Sequence, residues 1–164
     1  PVRAANKNKP LPFGDISLFI SYSYNDARYG NFKVIAKNSS NQLVETNLKN
    51  KRVENAPVHI LRTGLTYRYK DFSITAQVSH VGKAYSDANN TVAVSPNAQN
   101  GRIPAYTVTD LAASCRVAKK LTVKAGINNL GNERYFTRRA GGYPGPGALP
   151  ADGRTYFISL GAKF

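Results

Sequence analysis

The sequence contains no methionine, no tryptophan and a single cysteine, Cys115. One cysteine excludes an internal disulfide and a cysteine-based metal site. No apolar run approaches the roughly 18 residues that a transmembrane helix needs, so no helical span is predicted. The chain also lacks an opening basic segment followed by an apolar one, so no signal peptide is predicted. Because the first residue is not methionine, we expect a piece of a longer protein.

Acidic residues are scarce as well. Lys and Arg number 23, whereas Asp and Glu number 9, and the formal net charge is +14. A chain this basic is first a candidate for nucleic-acid binding. The basic residues are scattered, however, and adjacent pairs occur only at Lys51-Arg52, Lys119-Lys120 and Arg138-Arg139. We therefore predict no nucleic-acid partner and expect the charge to meet an anionic ligand, lipopolysaccharide or acidic residues elsewhere in a larger protein.

The segment 154–164 alternates between an apolar and a polar face, with Phe157 as the exception. The segment 15–26 alternates in the same way, with Phe19 as its exception. A period of two indicates a β-strand, and no helical period is present. The fold class is thus predicted to be all-β and antiparallel. The six predicted strands are 15–26, 58–69, 72–85, 105–117, 120–130 and 154–164.

The strands and their connections follow a regular pattern. Strands of about 10–13 residues are longer than most soluble strands and match membrane-crossing ones. Long loops at 27–56, 87–104 and 131–153 alternate with very short turns, as in outer-membrane barrels, whose long loops are extracellular. An apolar patch at 32–36 is expected to form a strand pair beyond the membrane. Arg62 and Arg68 share the polar face, which predicts that this face lines a wet lumen.

Six strands cannot close a transmembrane barrel, because the smallest have eight. An open sheet edge in lipid would leave costly unpaired amides. The chain is therefore predicted to be one sector of an up-and-down transmembrane β-barrel whose remaining strands lie elsewhere. The residues expected to serve barrel closure and assembly are Tyr156, Ile158, Leu160 and Phe164.

Three motifs stand out: the segment 128–133 followed by Tyr135, the loop 142–147, and the strand start at 106–111. Together they resemble TonB-dependent outer-membrane receptors. Gly131 departs from the family pattern, which often has Phe there. The string 135–139 with its GYPGPG loop most resembles the ferric-citrate-type transporters. The resemblance covers residues 15–164 and implies a 22-stranded barrel around a plug, with this chain as its last six strands.

The resemblance also implies a function and a set of partners. The whole protein would take up a ferric siderophore or ferric citrate across the outer membrane of a Gram-negative bacterium. It would be neither an enzyme nor a cofactor-binding protein. Its other partners would be outer-membrane lipid and lipopolysaccharide, the barrel-assembly machinery, and the TonB complex. That complex would act through a plug and a TonB box, neither of which is in this chain.

Candidate ligand contacts lie in the long loops. Arginine offers planar, bidentate recognition of carboxylates, which suits an anionic ferric chelate. The candidates are Arg102, Arg134, Arg138, Arg139 and Tyr143. The alternative is that the arginines meet lipopolysaccharide phosphates or loop acids. For aromatic residues such as Tyr135 and Phe136, the alternative is an aromatic girdle at the membrane interface.

No catalytic or metal site is predicted. Asp110 and Ser114 share a strand face but have no partnered histidine. His59 and His80 lack a third ligand, so a two-histidine metal site is disfavoured. Two other function classes stay open. One is a porin or autotransporter barrel, which needs no plug, and the other is a soluble all-β polyanion-binding module, which would pack Ile16 against a second sheet.

Overall fold

The computed structural model describes residues 13–38, 40–118, 120–143 and 145–163. All regular structure in these ranges is β-sheet, and they hold no helix of the length and apolar character that a membrane crossing requires. The strands are β1 (Asp15–Tyr24), β2 (Lys33–Lys37), β3 (Leu43–Asn47), β4 (His59–Tyr69), β5 (Phe72–Val81), β6 (Ala84–Tyr85), β7 (Arg102–Ile103), β8 (Tyr106–Ala118), β9 (Leu121–Asn128), β10 (Phe136–Ala140), β11 (Gly147–Pro150) and β12 (Thr155–Ala162).

The main sheet has six strands in the order β1-β4-β5-β8-β9-β12, and every neighbouring pair is antiparallel. This confirms the predicted all-β, antiparallel, up-and-down architecture. Three two-stranded sheets, β2-β3, β6-β7 and β10-β11, lie in the long connections. We name these connections loop A (25–58), loop B (82–105) and loop C (129–154). They lie at one end of the sheet, the loop end, and the short turns lie at the other, the turn end.

The third predicted strand, 72–85, was wrong at its end. The main-sheet strand stops at Val81, where the amide of Gly82 donates to the carbonyl of His59 at 2.8 Å. Ala84 and Tyr85 leave the sheet and pair instead with Ile103 and Arg102. The other five main-sheet strands differ from their predicted bounds by at most two residues at either end.

The predicted loops contain more regular structure than the sequence indicated. The strand pair expected at the patch 32–36 is present as β2 paired with β3. The Gly- and Pro-rich segment of loop C is flanked by a β10-β11 hairpin, in which Arg139 lies opposite Ala148. This hairpin was missed because its strands are short and its composition is typical of turns.

The apolar face of the main sheet has no second protein layer over it in the described residues. Ile16 is 72% exposed and Ile158 is 75% exposed. The second sheet that a soluble module would place over Ile16 is therefore not found in those ranges. The buried apolar side chains instead lie in or beside the loops at the loop end. They are Leu48, Val58, Ala84, Ile103 and Ala140.

The polar face bears an open groove of about 560 Å³. Cross-strand hydroxyl pairs line it, with Thr66 and Thr75 Oγ1 atoms 2.9 Å apart and Ser73 and Ser114 Oγ atoms 2.8 Å apart. Such pairs satisfy polar side chains across antiparallel strands. A guanidinium also belongs to this face, since Nη1 of Arg68 donates to a serine hydroxyl of β1 at 2.9 Å.

Candidate ligand-facing surface at the loop end

Loops A and B are joined by reciprocal hydrogen bonds. The backbone amide of Arg52 donates to Oδ1 of Asn90 at 2.7 Å, and Nδ2 of Asn90 donates to the carbonyl of Arg52 at 2.7 Å. The amide of Asn55 also donates to the carbonyl of Tyr85 at 2.8 Å. Asn90 has a left-handed φ of 58°, a conformation that asparagine tolerates better than most residues. The Asn90 side chain thus makes the two backbone hydrogen bonds to Arg52 that a neighbouring strand would otherwise make.

Loops B and C are joined through Arg139. Its Nη1 donates to the carbonyl of Ala98 at 2.8 Å, and its Nη2 donates to the carbonyl of Arg102 at 3.4 Å. The guanidinium carbon lies 4.7 Å from the ring centroid of Phe136, within the range of a cation–π contact. Gly141 lies directly against the side-chain amide of Gln99, which would clash with any Cβ there. The two loops therefore form one surface.

Asn129 ties the base of loop C to the main sheet. It is 3% exposed, and its backbone amide donates a hydrogen bond to Oδ1 of Asp110 at 2.8 Å. Its Nδ2 donates to the carbonyls of Glu133 at 3.0 Å and Asp152 at 3.3 Å, and its Oδ1 accepts from the amide of Glu133 at 2.8 Å. The asparagine thereby holds both ends of loop C. Sequence reasoning noted this segment only as a family motif, because nothing local shows that the side chain is buried.

Two aromatic contacts also organise the loop end. Tyr135 stacks on Tyr106 with ring centroids 4.2 Å apart, and Tyr29 stacks on Phe32 at 5.8 Å. The phenol of Tyr29 donates to Oε2 of Glu54 at 2.5 Å, and this bond to a carboxylate raises the pKa of Tyr29 above 10.0. The ionised phenolate would lose the bond and repel Glu54.

The charges of this surface are unevenly compensated. The ion pairs within the described ranges are Arg28–Asp26, Arg52–Asp26, Lys33–Glu45 and Arg116–Asp71. None of the four loop arginines named as candidate ligand contacts has a carboxylate partner among these residues. Arg102, Arg134 and Arg138 are exposed. An exposed guanidinium group without a carboxylate partner can bind an anion.

The other candidates are placed differently. Arg134 lies with Tyr135 and Phe136 in a separate shallow pocket of about 260 Å³. Tyr143 is fully exposed at the tip of the β10-β11 hairpin. Arg139 is half-buried, and two of its nitrogens already have acceptors, so it is less available than Arg138. Arg102 and Arg138 are thus exposed candidates near loops B and C, whereas Arg134 lies apart from them, and their contact with a ligand stays a prediction.

The candidate closure residues lie on the last strand of the sheet. Tyr156 and Leu160 are 70% and 71% exposed on the apolar face with Ile158, and the far edge of β12 has no partner in the described residues. Phe164 lies outside the described residues. The closure role stays a prediction.

Each of the two histidines has a hydroxyl partner. Nδ1 of His59 lies 2.8 Å from the Tyr22 phenol, and Nδ1 of His80 lies 2.8 Å from Oγ1 of Thr107. No group of three or more His, Cys, Asp or Glu side chains that could hold a metal occurs in the part of the chain that the structure describes.

A family model described as TonB dependent receptor-like, beta-barrel, matches residues 4–130. Among solved structures, the unliganded ferric citrate transporter FecA has 18% identity and a TM-score of 0.72, over 91% of this chain and 21% of that one. The siderophore receptor PiuA from Acinetobacter baumannii has 21% identity and a TM-score of 0.73, over 94% and 20%. A mutant of the ferric enterobactin receptor PfeA from Pseudomonas aeruginosa has 24% identity and a TM-score of 0.60, over 94% and 21%.

The chain spans about a fifth of the length of these structures. At these identities, the likeness shows the fold. Comparison with curated protein sequences found no match. The family model covers well over half of the chain, and its match follows the strands of the main sheet from β1 through β9. The chain belongs to the TonB-dependent receptor β-barrel family and forms part of such a barrel.

Proposed function

We propose that the whole protein is an outer-membrane receptor that takes up a ferric chelate, either a siderophore or ferric citrate, with energy supplied through TonB. This chain would contribute the last six strands of a 22-stranded wall and three extracellular loops. Family membership supports the transport role. The solved relatives named above transport ferric citrate or bind siderophores, according to their descriptions.

The two edges of the sheet support the proposal that other barrel strands complete it. The far edges of β1 and β12 have no partner among the described residues, and open edges in a bilayer are strongly disfavoured. The exposed apolar face would meet lipid, and the grooved polar face would meet the lumen and the plug. The segment 154–164 would be read by the barrel-assembly machinery.

The observation that carries the choice of an anionic ligand is the pair Arg102 and Arg138. Both side chains are exposed at the loop end, and neither is neutralised by a carboxylate in the described ranges. A ferric chelate that carries free carboxylates or a net negative charge would neutralise them. The uptake itself involves no covalent chemistry: ligand binds to loops and plug, and TonB then pulls the plug to open a path.

A binding titration of the intact receptor with ferric citrate, and separately with a ferric catecholate siderophore, tests this proposal. We expect Arg102→Gln and Arg138→Gln to weaken binding of the preferred chelate about tenfold each, since each removes a charge-assisted contact. Arg116→Gln is the matched control, because Arg116 is an exposed arginine near the turn end.

Three outcomes would contradict the proposal. The first is that neither chelate binds, and the second is that both loop variants bind like the parent. The third is uptake that continues without TonB, which would favour a porin-type barrel. Lipopolysaccharide binding that falls in both variants while chelate binding is unchanged would assign the two arginines to the lipid surface instead.

A further inference from the structure

The two adjacent arginines of β10 have different surroundings. Arg138 is exposed, whereas Arg139 is half-buried against loop B. Both terminal nitrogens of Arg139 donate to backbone carbonyls, one of Ala98 and one of Arg102. One face of its guanidinium lies over Phe136, and its Nε is buried without an acceptor. The two terminal nitrogens that would bind a ligand carboxylate in bidentate fashion therefore already donate to backbone carbonyls of the protein.

The segment that Arg139 contacts is a tight turn with unusual backbone geometry. Ala98 has a φ of 55°, and buried Gly101 has a φ of 133°. Alanine adopts a left-handed φ only where its surroundings enforce it. Here the amide of Ala98 donates to the carbonyl of Ser95 at 2.8 Å, and its carbonyl accepts from Arg139. The turn leads directly into Arg102, whose own carbonyl is the second acceptor.

We propose that Arg139 is a positioning residue, which fixes the turn 95–101 on β10 and thereby sets the place of Arg102 at the end of that turn. The ligand contacts are then Arg102 and Arg138, and Arg139 acts on the ligand only through them. The part of this inference that concerns the ligand rests on the proposed function. The part that concerns the junction of loops B and C does not rest on the proposed function. Label distances measure the junction, and ligand titration measures the effect on binding.

The experiment uses the intact receptor in detergent, with Cys115 replaced by Ser so that it takes no label. Nitroxide labels are placed at Val94→Cys in loop B and Gly142→Cys in loop C. Val94 is exposed, and nothing lies within 4 Å of a Cβ at Gly142. The distance distribution between the labels is recorded for the parent, Arg139→Gln, Arg139→Lys and Arg138→Gln. The same variants without labels are titrated with ferric citrate.

We expect a narrow distribution in the parent and in Arg138→Gln, and a broad one in Arg139→Gln. Arg139→Lys should also be broad, because an ammonium on a flexible chain cannot hold both carbonyls in the plane of a fork. Its ferric citrate affinity should fall about as far as that of Arg139→Gln, by roughly threefold to tenfold, although the charge is kept. A direct ligand contact would instead be partly rescued by lysine.

Unchanged distributions in both Arg139 variants would overturn the positioning role. Restored affinity in Arg139→Lys together with a narrow distribution would also overturn it and make Arg139 a ligand contact. If ferric citrate binds to none of the proteins, a ferric catecholate is the second probe. Failure of both probes would refute the proposed function, while the label distances would still decide the junction.

Discussion

Phe157 lies directly opposite Gly126 on the neighbouring strand, and a Cβ built at Gly126 would stand 2.5 Å from Cε1 of its phenyl ring. Phe19 covers Gly64 in the same way near the other edge of the main sheet. Both rings lie on the polar face, and both line the groove there. Each ring occupies the space that a side chain would take on the next strand, which is why glycine stands at 64 and 126.

Gly126→Ala should destabilise the barrel. The new methyl group would displace the Phe157 ring and would also stand 2.8 Å from the carbonyl oxygen of Leu111 on β8, and such overpacking costs about 1–3 kcal/mol. The measurement is the free energy of unfolding of the intact receptor in urea, in detergent or lipid. A lower temperature for loss of the heat-modifiable gel band should accompany it.

The matched control for that prediction is Gly161→Ala, on the same face of β12. A Cβ there has its nearest neighbour, the carbonyl oxygen of Thr122, at 3.9 Å, which is an ordinary contact. Gly161→Ala should therefore unfold like the parent. Equal stabilities for the two alanine variants would show that the ring over Gly126 does not constrain that position.

The sequence was sufficient for the main sheet because alternation is a local property. Each strand shows its two faces within about ten residues, and Phe19 and Phe157 were visible as exceptions. The sequence did not show that each of these phenylalanines covers a glycine. Gly64 lies 45 positions after Phe19, and the two residues come together only through the register of β1 and β4. The pairing of aromatic and glycine is a property of the sheet rather than of either strand.

The loop end was less predictable for a related reason. Arginine was expected in a ligand site on chemical grounds, but Arg138 and Arg139 are indistinguishable in sequence. They differ only in the folded chain, where the carbonyl of Ala98 accepts a hydrogen bond from Arg139 while Arg138 stays exposed. The short strands β6, β7, β10 and β11 pair at turns that composition alone describes as irregular. Asn129 was likewise hidden, because burial of an asparagine depends on three segments that meet around it.

Asn129→Ala should destabilise the protein by about 2–3 kcal/mol, because it removes a buried side chain that makes three hydrogen bonds to the backbone of Glu133 and Asp152. Asn129 has a left-handed φ of 52°, so alanine adds backbone strain. Asn129→Gly removes that strain and should recover only part of the loss. Urea unfolding measures both variants.

The neighbouring Asn128 provides the control for Asn129. It is exposed, and its side chain donates one hydrogen bond, to Oγ1 of Thr155 at 3.2 Å. Asn128→Ala should change the unfolding free energy by less than about 1 kcal/mol. The assignment of Asn129 as the tie of loop C would be refuted if full stability returned in Asn129→Gly.

Asn90→Gly should uncouple loop A from loop B. Glycine accepts the left-handed φ at this position, so the variant removes only the side-chain bonds of Asn90, which are the two to Arg52 and a longer one of 3.4 Å to the carbonyl of Asp87. The amide of Arg52 loses its acceptor and should exchange with solvent deuterium about tenfold faster. Asn89→Ala is the control, because its exposed side chain makes only a 3.5 Å contact with Lys51. Equal exchange in the two variants would contradict the coupling.

The bond between Tyr29 and Glu54 makes part of loop A sensitive to alkaline pH. The folded protein holds the phenol proton more tightly than the unfolded chain, because the bond to Glu54 and burial both raise the pKa of Tyr29. The contact therefore stabilises loop A fully below pH 10, and this contribution is lost as pH rises through the raised pKa. Carbon-13 labels on the tyrosine Cζ atoms follow the titration in the intact receptor by NMR, and Tyr29→Phe identifies the resonance by its loss.

Glu54→Gln tests the cause of the raised pKa of Tyr29. Removing the carboxylate removes both the acceptor charge and its repulsion of the phenolate, so the Tyr29 midpoint should move down toward 10.0. Glu45→Gln is the control, because Glu45 is a loop A carboxylate that pairs with Lys33 instead. It should leave the Tyr29 midpoint where it is in the parent. If Tyr29 in the parent already titrated at or below 10.0, the bond to Glu54 would be absent in solution, and the predicted alkaline sensitivity of loop A would be refuted.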